Sequence, residues 1–341
     1  MSLDLPLIWA GLIAIAVLLY VMLDGFDLGI GILFPFAASP AERDTMMATV
    51  APVWDGNETW LVLGGGGLFA AFPFAYAALL PALYIPIILM LLALILRGVA
   101  FEFRLHGRAR SKPLWTMAFA GGSLVATLAQ GLVLGGFIQG VTLNDGRFAG
   151  DAFDWLSPYS LLVAAGLAAG YALIGAAWLI WRTEGELQVR ARRWAWIALV
   201  AVAVLLAAVS FATLLVHPEV GARWGWTGDR FDLAPLARLS PIPLLGAAGL
   251  AIAALGLRRR AQGWPFAGAI LMFLSGYLGL AAGFFPFVVP YALTFRQAAN
   301  ADNALSLMLV GVAILLPAII GYSLWVYWIF RGKVGADAGY H

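Results

Sequence analysis

The chain has 341 residues, 63% of them hydrophobic and only 11% charged, and its mean hydropathy is +0.91. Soluble domains are about half apolar and roughly a quarter charged, so this composition excludes a soluble globular fold and specifies an integral membrane protein. A net charge of +2 gives no argument for a nucleic-acid partner, and the lack of cysteine excludes disulfides and a thiolate metal site.

A bilayer core about 30 Å thick needs roughly 20 apolar residues per helix, and about nine spans are predicted on that measure. They cover approximately residues 5–34, 54–74, 76–101, 114–140, 157–181, 194–216, 240–257, 265–289 and 303–330. The first, LPLIWAGLIAIAVLLYVML, follows Asp4 and has no basic n-region or small-residue cleavage site. It reads as a retained span, not a signal peptide. It runs on into LDGFDLGIG, which places Asp24 and Asp27 in its second half.

Spans two and three are almost contiguous and predict a tight helical hairpin. Span two opens with WDGNETW, so Asp55, Asn57 and Glu58 lie between Trp54 and Trp60. The two tryptophans fit an interfacial belt, and Trp54 beside Asp55 also fits the lining of a site. The run Gly64 to Gly67 is followed by no Lys-Ser/Thr, so it is no phosphate loop; close helix packing explains it. Span three ends in LRGVAFEFR with Arg97 and Glu102, and Gln130 and Gln139 in span four are expected to make interhelical hydrogen bonds. In FFPFVVP, Pro286 and Pro290 are expected to end or kink span eight.

The loops alternate in charge. Arg104, Arg108, Arg110 and Lys112 follow span three, and Arg182, Arg190, Arg192 and Arg193 follow span five. Arg258 to Arg260 follow span seven, and Arg331 and Lys333 follow the last span. The intervening loops hold Asp145, Asp151 and Asp154, then Glu219, Asp229 and Asp232. Positive residues stay inside, so the N-terminus is expected outside and the C-terminus in the cytoplasm, as an odd span count requires. Asp24, Asp27, Asp55, Glu58, Arg97 and Glu102 then all fall in the inner half of the first three spans.

Asp24 and Asp27 are three residues apart, as are Asp55 and Glu58, so each pair is expected to share a helix face. An ionised residue near mid-membrane costs about 2.5–3.5 kcal/mol on insertion scales, and such residues commonly pair or line a proton or ion path. Gly25, Gly29 and Gly31 allow another backbone to approach the Asp24 face. Two readings stay open at this point. Asp55 is either an N-cap of span two or a functional acid, and Arg97 with Glu102 is either a structural pair or part of a site. The three histidines cannot supply facing helical ligands: His106 is in a basic loop, His217 precedes a proline and His341 is the last residue.

DGFDLGIG, APVWDGNETWLV, LRGVAFEFR and FPFVVP together resemble subunit II of cytochrome bd-type quinol oxidases, and NETW is similar to the cyanide-insensitive branch. The resemblance covers essentially the whole chain and is sharpest over residues 20–105 and 283–290. It implies an all-α integral membrane fold, one polytopic domain over 1–341. Two four-helix bundles (about 5–140 and 157–289) and a peripheral helix (about 303–330) would make it up. It also implies a heterodimer in the bacterial inner membrane with a larger subunit I that holds two b-type haems and haem d, oxidises quinol (ubiquinol) and reduces oxygen to water, generating proton-motive force. This chain would supply no haem ligand; some members hold a structural quinone, and a small accessory subunit is a further partner. Asp24, Asp55 and Glu102 match acids of a cytoplasmic proton-entry route, with Asp27 and Glu58 beside them. Trp54, Asn57, Trp60 and Arg97 are structural or line the site, and Gln stands at the Glu58 position in some members. Two competing readings are a proton-coupled secondary transporter, whose sites usually lie near the midplane, and a scaffold that only holds the haem subunit.

Overall fold

The computed structural model describes residues 3–335. Among the described residues, nine long helices follow the predicted spans in order: α1 (Leu5–Leu33), α2 (Trp54–Ala71), α3 (Pro73–His106), α4 (Lys112–Gln139), α5 (Pro158–Arg182), α6 (Gly185–Val216), α7 (Pro241–Arg258), α8 (Trp264–Phe284) and α9 (Asp302–Ile329). Eight are long and apolar enough to cross a membrane. The exception is α2, whose polar first turns and glycine run dilute its apolarity over only 18 residues. Phe72 alone separates α2 from α3, which makes the expected hairpin.

Local chemistry sets several helix ends. Asp4 accepts from the amide of Leu7 and Pro6 occupies the first turn of α1, where its missing N–H costs no intrahelical bond. Ser157 and Ser160 form a reciprocal capping box at the start of α5. Two boundaries differ from expectation because charge ends a hydropathy window without ending a helix. The third helix continues to His106, and α6 begins at Gly185, so Arg190, Arg192 and Arg193 lie on its first turns and not in a loop.

Span eight is shorter than expected. Helix α8 stops at Phe284, a cis peptide joins Phe285 to Pro286, and Phe287–Val289 pairs with Leu293–Thr294 as a small antiparallel hairpin. Proline has no N–H to continue the helical ladder, so the backbone groups turn to a strand partner instead. The following segment packs over the end of the bundle: the Asn300 amide donates to Ala71 O at 2.9 Å, and Trp9 Nε1 donates to Leu305 O at 3.1 Å.

Helix α1 is central and packs on α2, α4 and α5, while α3–α4, α5–α6 and α7–α8 pair as neighbours. The crossing of α1 with α5 is close because both helices present glycine: a Cβ on Gly29 would lie 1.8 Å from Tyr171 O, and one on Gly175 2.6 Å from Gly29 C. Small residues of this kind bring backbones into van der Waals contact where lipid offers no hydrophobic driving force. In the glycine run of α2, Gly64 and Gly67 meet Val17 and Ile13 of α1, whereas Gly65 and Gly66 face open space. Helix α9 touches mainly α1 and α2 and leaves Leu307, Val310, Ile314 and Leu315 exposed, a surface suited to apolar surroundings.

Candidate functional site

Helices α1, α2, α3 and α9 bring a polar cluster together at the end that carries the arginine-rich segments. Asp24 on α1 is fully buried, and its Oδ1 accepts from Arg97 Nη1 of α3 at 2.6 Å. The other arm of the same guanidinium, Nη2, donates to Glu58 Oε2 of α2 at 2.9 Å. Glu58 is 27% exposed, so the triad begins at a partly accessible carboxylate and ends at a fully enclosed one. Bonds between ionised partners of this length are stronger than neutral ones, and the planar fork of Arg suits two acceptors at once.

Asp27 lies one turn beyond Asp24 but faces a different helix. Its Oδ2 accepts from Asn57 Nδ2 at 2.8 Å, and the same amide nitrogen reaches Leu23 O at 3.3 Å. Asn57 Oδ1 in turn accepts from the hydroxyl of Tyr327, on α9, at 2.7 Å. One asparagine thus ties α1, α2 and α9. Trp54 stacks on Phe101 with ring centroids 5.2 Å apart, and the Arg97 guanidinium carbon lies 6.0 Å from the Trp54 ring. This aromatic wall excludes water from one side of the cation and adds a cation–π attraction.

The cluster holds one guanidinium against three carboxyls, and Asp24 Oδ2, Asp27 Oδ1 and Arg97 Nε are buried without a partner among the described residues. Buried charge is tolerated only when paired, and here one guanidinium serves a partly open carboxyl and a closed one, while a second closed carboxyl is held by an amide.

Several expectations change. Asp55 is exposed and is not the N-cap of α2: Val53 holds that position, and Asp55 lies in the first turn. It is exposed at the surface three residues before Glu58, whose carboxylate turns to Arg97. Arg97 pairs with Asp24 and Glu58. Glu102 is exposed and lines a surface groove with Phe103, Gly107, Arg108, Ser111 and Trp115. Trp60 is no belt residue: it is buried against Ala16 and Tyr20 because α2 rotates that face onto α1.

Other polar residues had little or no signal in the sequence. Arg104, expected only as a topology charge, is 2% exposed, bonded to Asp44 at 2.6 Å and Thr116 at 3.0 Å, with the Phe34 ring 4.9 Å away. It pins the short helix Pro40–Ala48 against α3 and α4. Gln130 makes the expected interhelical bonds: its Nε2 donates to Tyr20 and its Oε1 accepts from Tyr171. Gln139 Oε1 accepts from Ser157 at 2.6 Å. A tyrosine near a helix end, such as Tyr327, reads as an interfacial anchor until its partner is known.

Among the described residues, no three His, Cys, Asp or Glu side chains form a metal-ligand set. His217 is engaged otherwise, stacked on Tyr291 at 3.7 Å and accepting at Nδ1 from the Glu219 amide. His341 lies outside the described residues.

Comparison with known proteins points one way. The family model for cytochrome bd terminal oxidase subunit II matches residues 5–330. Cytochrome bd-I ubiquinol oxidase subunit 2 of Escherichia coli (strain K12) is 30% identical, over 97% of this chain and 95% of its own. Cytochrome bd ubiquinol oxidase subunit 2 of Bacillus subtilis (strain 168) is 32% identical, over 96% of each. The bd oxidase structure from Geobacillus thermodenitrificans superposes with a TM-score of 0.77 at 18% identity, covering 97% of this chain and 100% of that one. That likeness supports the fold.

Proposed function

The chain belongs to the cytochrome bd terminal oxidase subunit II family, and from that premise we propose that its buried acidic cluster carries protons toward the oxygen-reducing site. It is a multi-pass inner-membrane subunit of a bd-type quinol oxidase, an oxidoreductase complex that contains haem. Family membership sets aside the transporter reading. Two b-type haems and haem d would be bound by the partner subunit, as the resemblance to the family implies. When bound, haem supplies the electron transfer and oxygen chemistry.

The observation that carries the proposal is the Glu58–Arg97–Asp24 line from a part-exposed carboxyl to a fully buried one. Oxygen reduction to water consumes protons, and a low-dielectric wall blocks them unless side chains relay them. Glu58 would take a proton from the arginine-rich, cytoplasmic end. Arg97 holds Glu58 and Asp24 at fixed separation and keeps the buried charge paired. Asp24 and Asp27 would hold protons further in. Asp55 and Glu102, both at the surface, would collect protons at the mouth of the route. The arginine distribution supports an outer N-terminus and a cytoplasmic C-terminus, and the sparse packing of α9 supports its place as the peripheral helix beside two four-helix bundles.

The test uses the complex purified with its haem subunit. Asp24→Asn should lower quinol-driven oxygen uptake at least about tenfold, a floor beneath the roughly 10²–10⁴-fold typical of a positioned acid–base group, while haem content stays normal. Normal uptake at normal haem content would overturn the relay and leave a scaffold.

A further inference from the structure

Beyond the ion pairs, a second set of buried polar groups converges on Asp24. Tyr171 donates to Gln130 Oε1 at 2.8 Å, and Gln130 Nε2 donates to the Tyr20 oxygen at 2.7 Å. This order fixes a direction. With its oxygen accepting from Gln130, Tyr20 still has a hydroxyl proton to give. Tyr20 precedes Asp24 by four residues on α1, so the two share a face, and the Cα–Cβ bond of Asp24 tilts back toward the Tyr20 turn.

Two atoms nearby need what Tyr20 offers or resembles it. Asp24 Oδ2 is an acceptor and Trp60 Nε1 a donor, and both are buried without a partner. Trp60 packs in the same small cluster as Tyr20 and Ala16, with Trp60 3% and Tyr20 4% exposed. Tyr171 closes the surround, since a Cβ on Gly25 would lie 2.7 Å from its ring. Native interiors rarely leave two such groups unsatisfied side by side with an unused hydroxyl proton, and a buried water needs two to four polar partners.

We propose that Tyr20, Trp60 and Asp24 form a binding site for one internal water, which accepts from Tyr20 and Trp60 Nε1 and donates to Asp24 Oδ2. The valences balance: two lone pairs take two donors, one hydrogen serves Asp24, and the second hydrogen is the one able to move onward. Tyr20 and Trp60 are positioning residues here. Tyr171 and Gln130 hold the Tyr20 hydroxyl turned toward the site. The proposal rests on the reading of Asp24 as a proton carrier and adds what lies past it: the carboxyl is held by Arg97 on one oxygen and by water on the other.

The experiment records redox-difference infrared spectra of the intact complex in ordinary and ¹⁸O-labelled water, with haem content as the assembly control. An ¹⁸O-sensitive water band is expected, lost in Tyr20→Phe, in Trp60→Phe and in Asp24→Asn, with oxygen uptake several-fold lower in the first two. A map of the complex at water-resolving resolution should place density within hydrogen-bond distance of all three groups. A dry gap in that map, or a band and uptake indifferent to Tyr20→Phe and Trp60→Phe, overturns the water site. If Asp24→Asn itself leaves uptake normal, the relay reading fails instead, whatever the map shows.

Discussion

Arg97 Nη1 lies 2.6 Å from Asp24 Oδ1, with the two side chains 2% and 0% exposed and 73 residues apart in the chain. Removing one partner of such a pair strands the other charge and costs about 3–5 kcal/mol, whereas replacing both by apolar groups is far less damaging. Arg97→Leu should therefore sharply reduce recovery of assembled complex. The double variant Asp24→Leu with Arg97→Leu should recover part of that loss. Haem-to-protein ratio and thermal midpoint read both; equal values for single and double variants would show that the pair is not coupled.

Glu58 and Asp24 share one guanidinium but not one environment. Glu58→Gln keeps an oxygen for Arg97 Nη2 and changes a group already 27% exposed. Its oxygen uptake should fall a few-fold, short of the tenfold or greater loss expected for Asp24→Asn, because solvent reaches this half-open position and takes over part of the delivery. Equal losses would mean that the outer carboxyl is as necessary as the inner one.

Glycine at 29 is a packing requirement. A Cβ there would meet Tyr171 O at 1.8 Å, an atom fixed in helix backbone, while one at Gly311 meets nothing within 4 Å. Overpacking of this kind typically costs 1–3 kcal/mol, roughly, or more where backbone must move. Gly29→Ala should lower the thermal midpoint of the complex, and Gly311→Ala should leave it unchanged or slightly raised. A silent Gly29→Ala would mean that α1 and α5 can separate freely.

Orientation in the membrane can be read cleanly because the chain has no cysteine of its own. Arg110→Cys and Asp151→Cys place single thiols at exposed positions on opposite ends of the bundle. A membrane-impermeant maleimide should label the first only in inverted vesicles and the second only in right-side-out ones. The reverse pattern would invert the topology drawn from the arginines.

The long helices were legible in the sequence because hydropathy is a local property, and each span carries its own record of it. Their ends were less so. At α6 the apolar window stops at the arginines although the helix includes them, and at α8 Pro286 diverts the chain into a hairpin. Asp24, Asp27, Glu58 and Arg97 stood out because charge is rare inside apolar runs. Trp60 misled, since tryptophan near a helix end signals an interface unless helix rotation buries it.

Composition and pattern thus determined that this is a multi-span membrane protein, where its helices run and which charges are costly enough to need a reason. Only the tertiary structure decided that Arg97 joins Asp24 to Glu58, that Tyr327 reaches Asn57 from 270 residues away, and that Asp55 turns out of the cluster. The cause is geometric. Which side chains meet across helices depends on rotation and depth at each crossing. Those are set by contacts such as Gly29 against Gly175, between segments with no local relation in the chain.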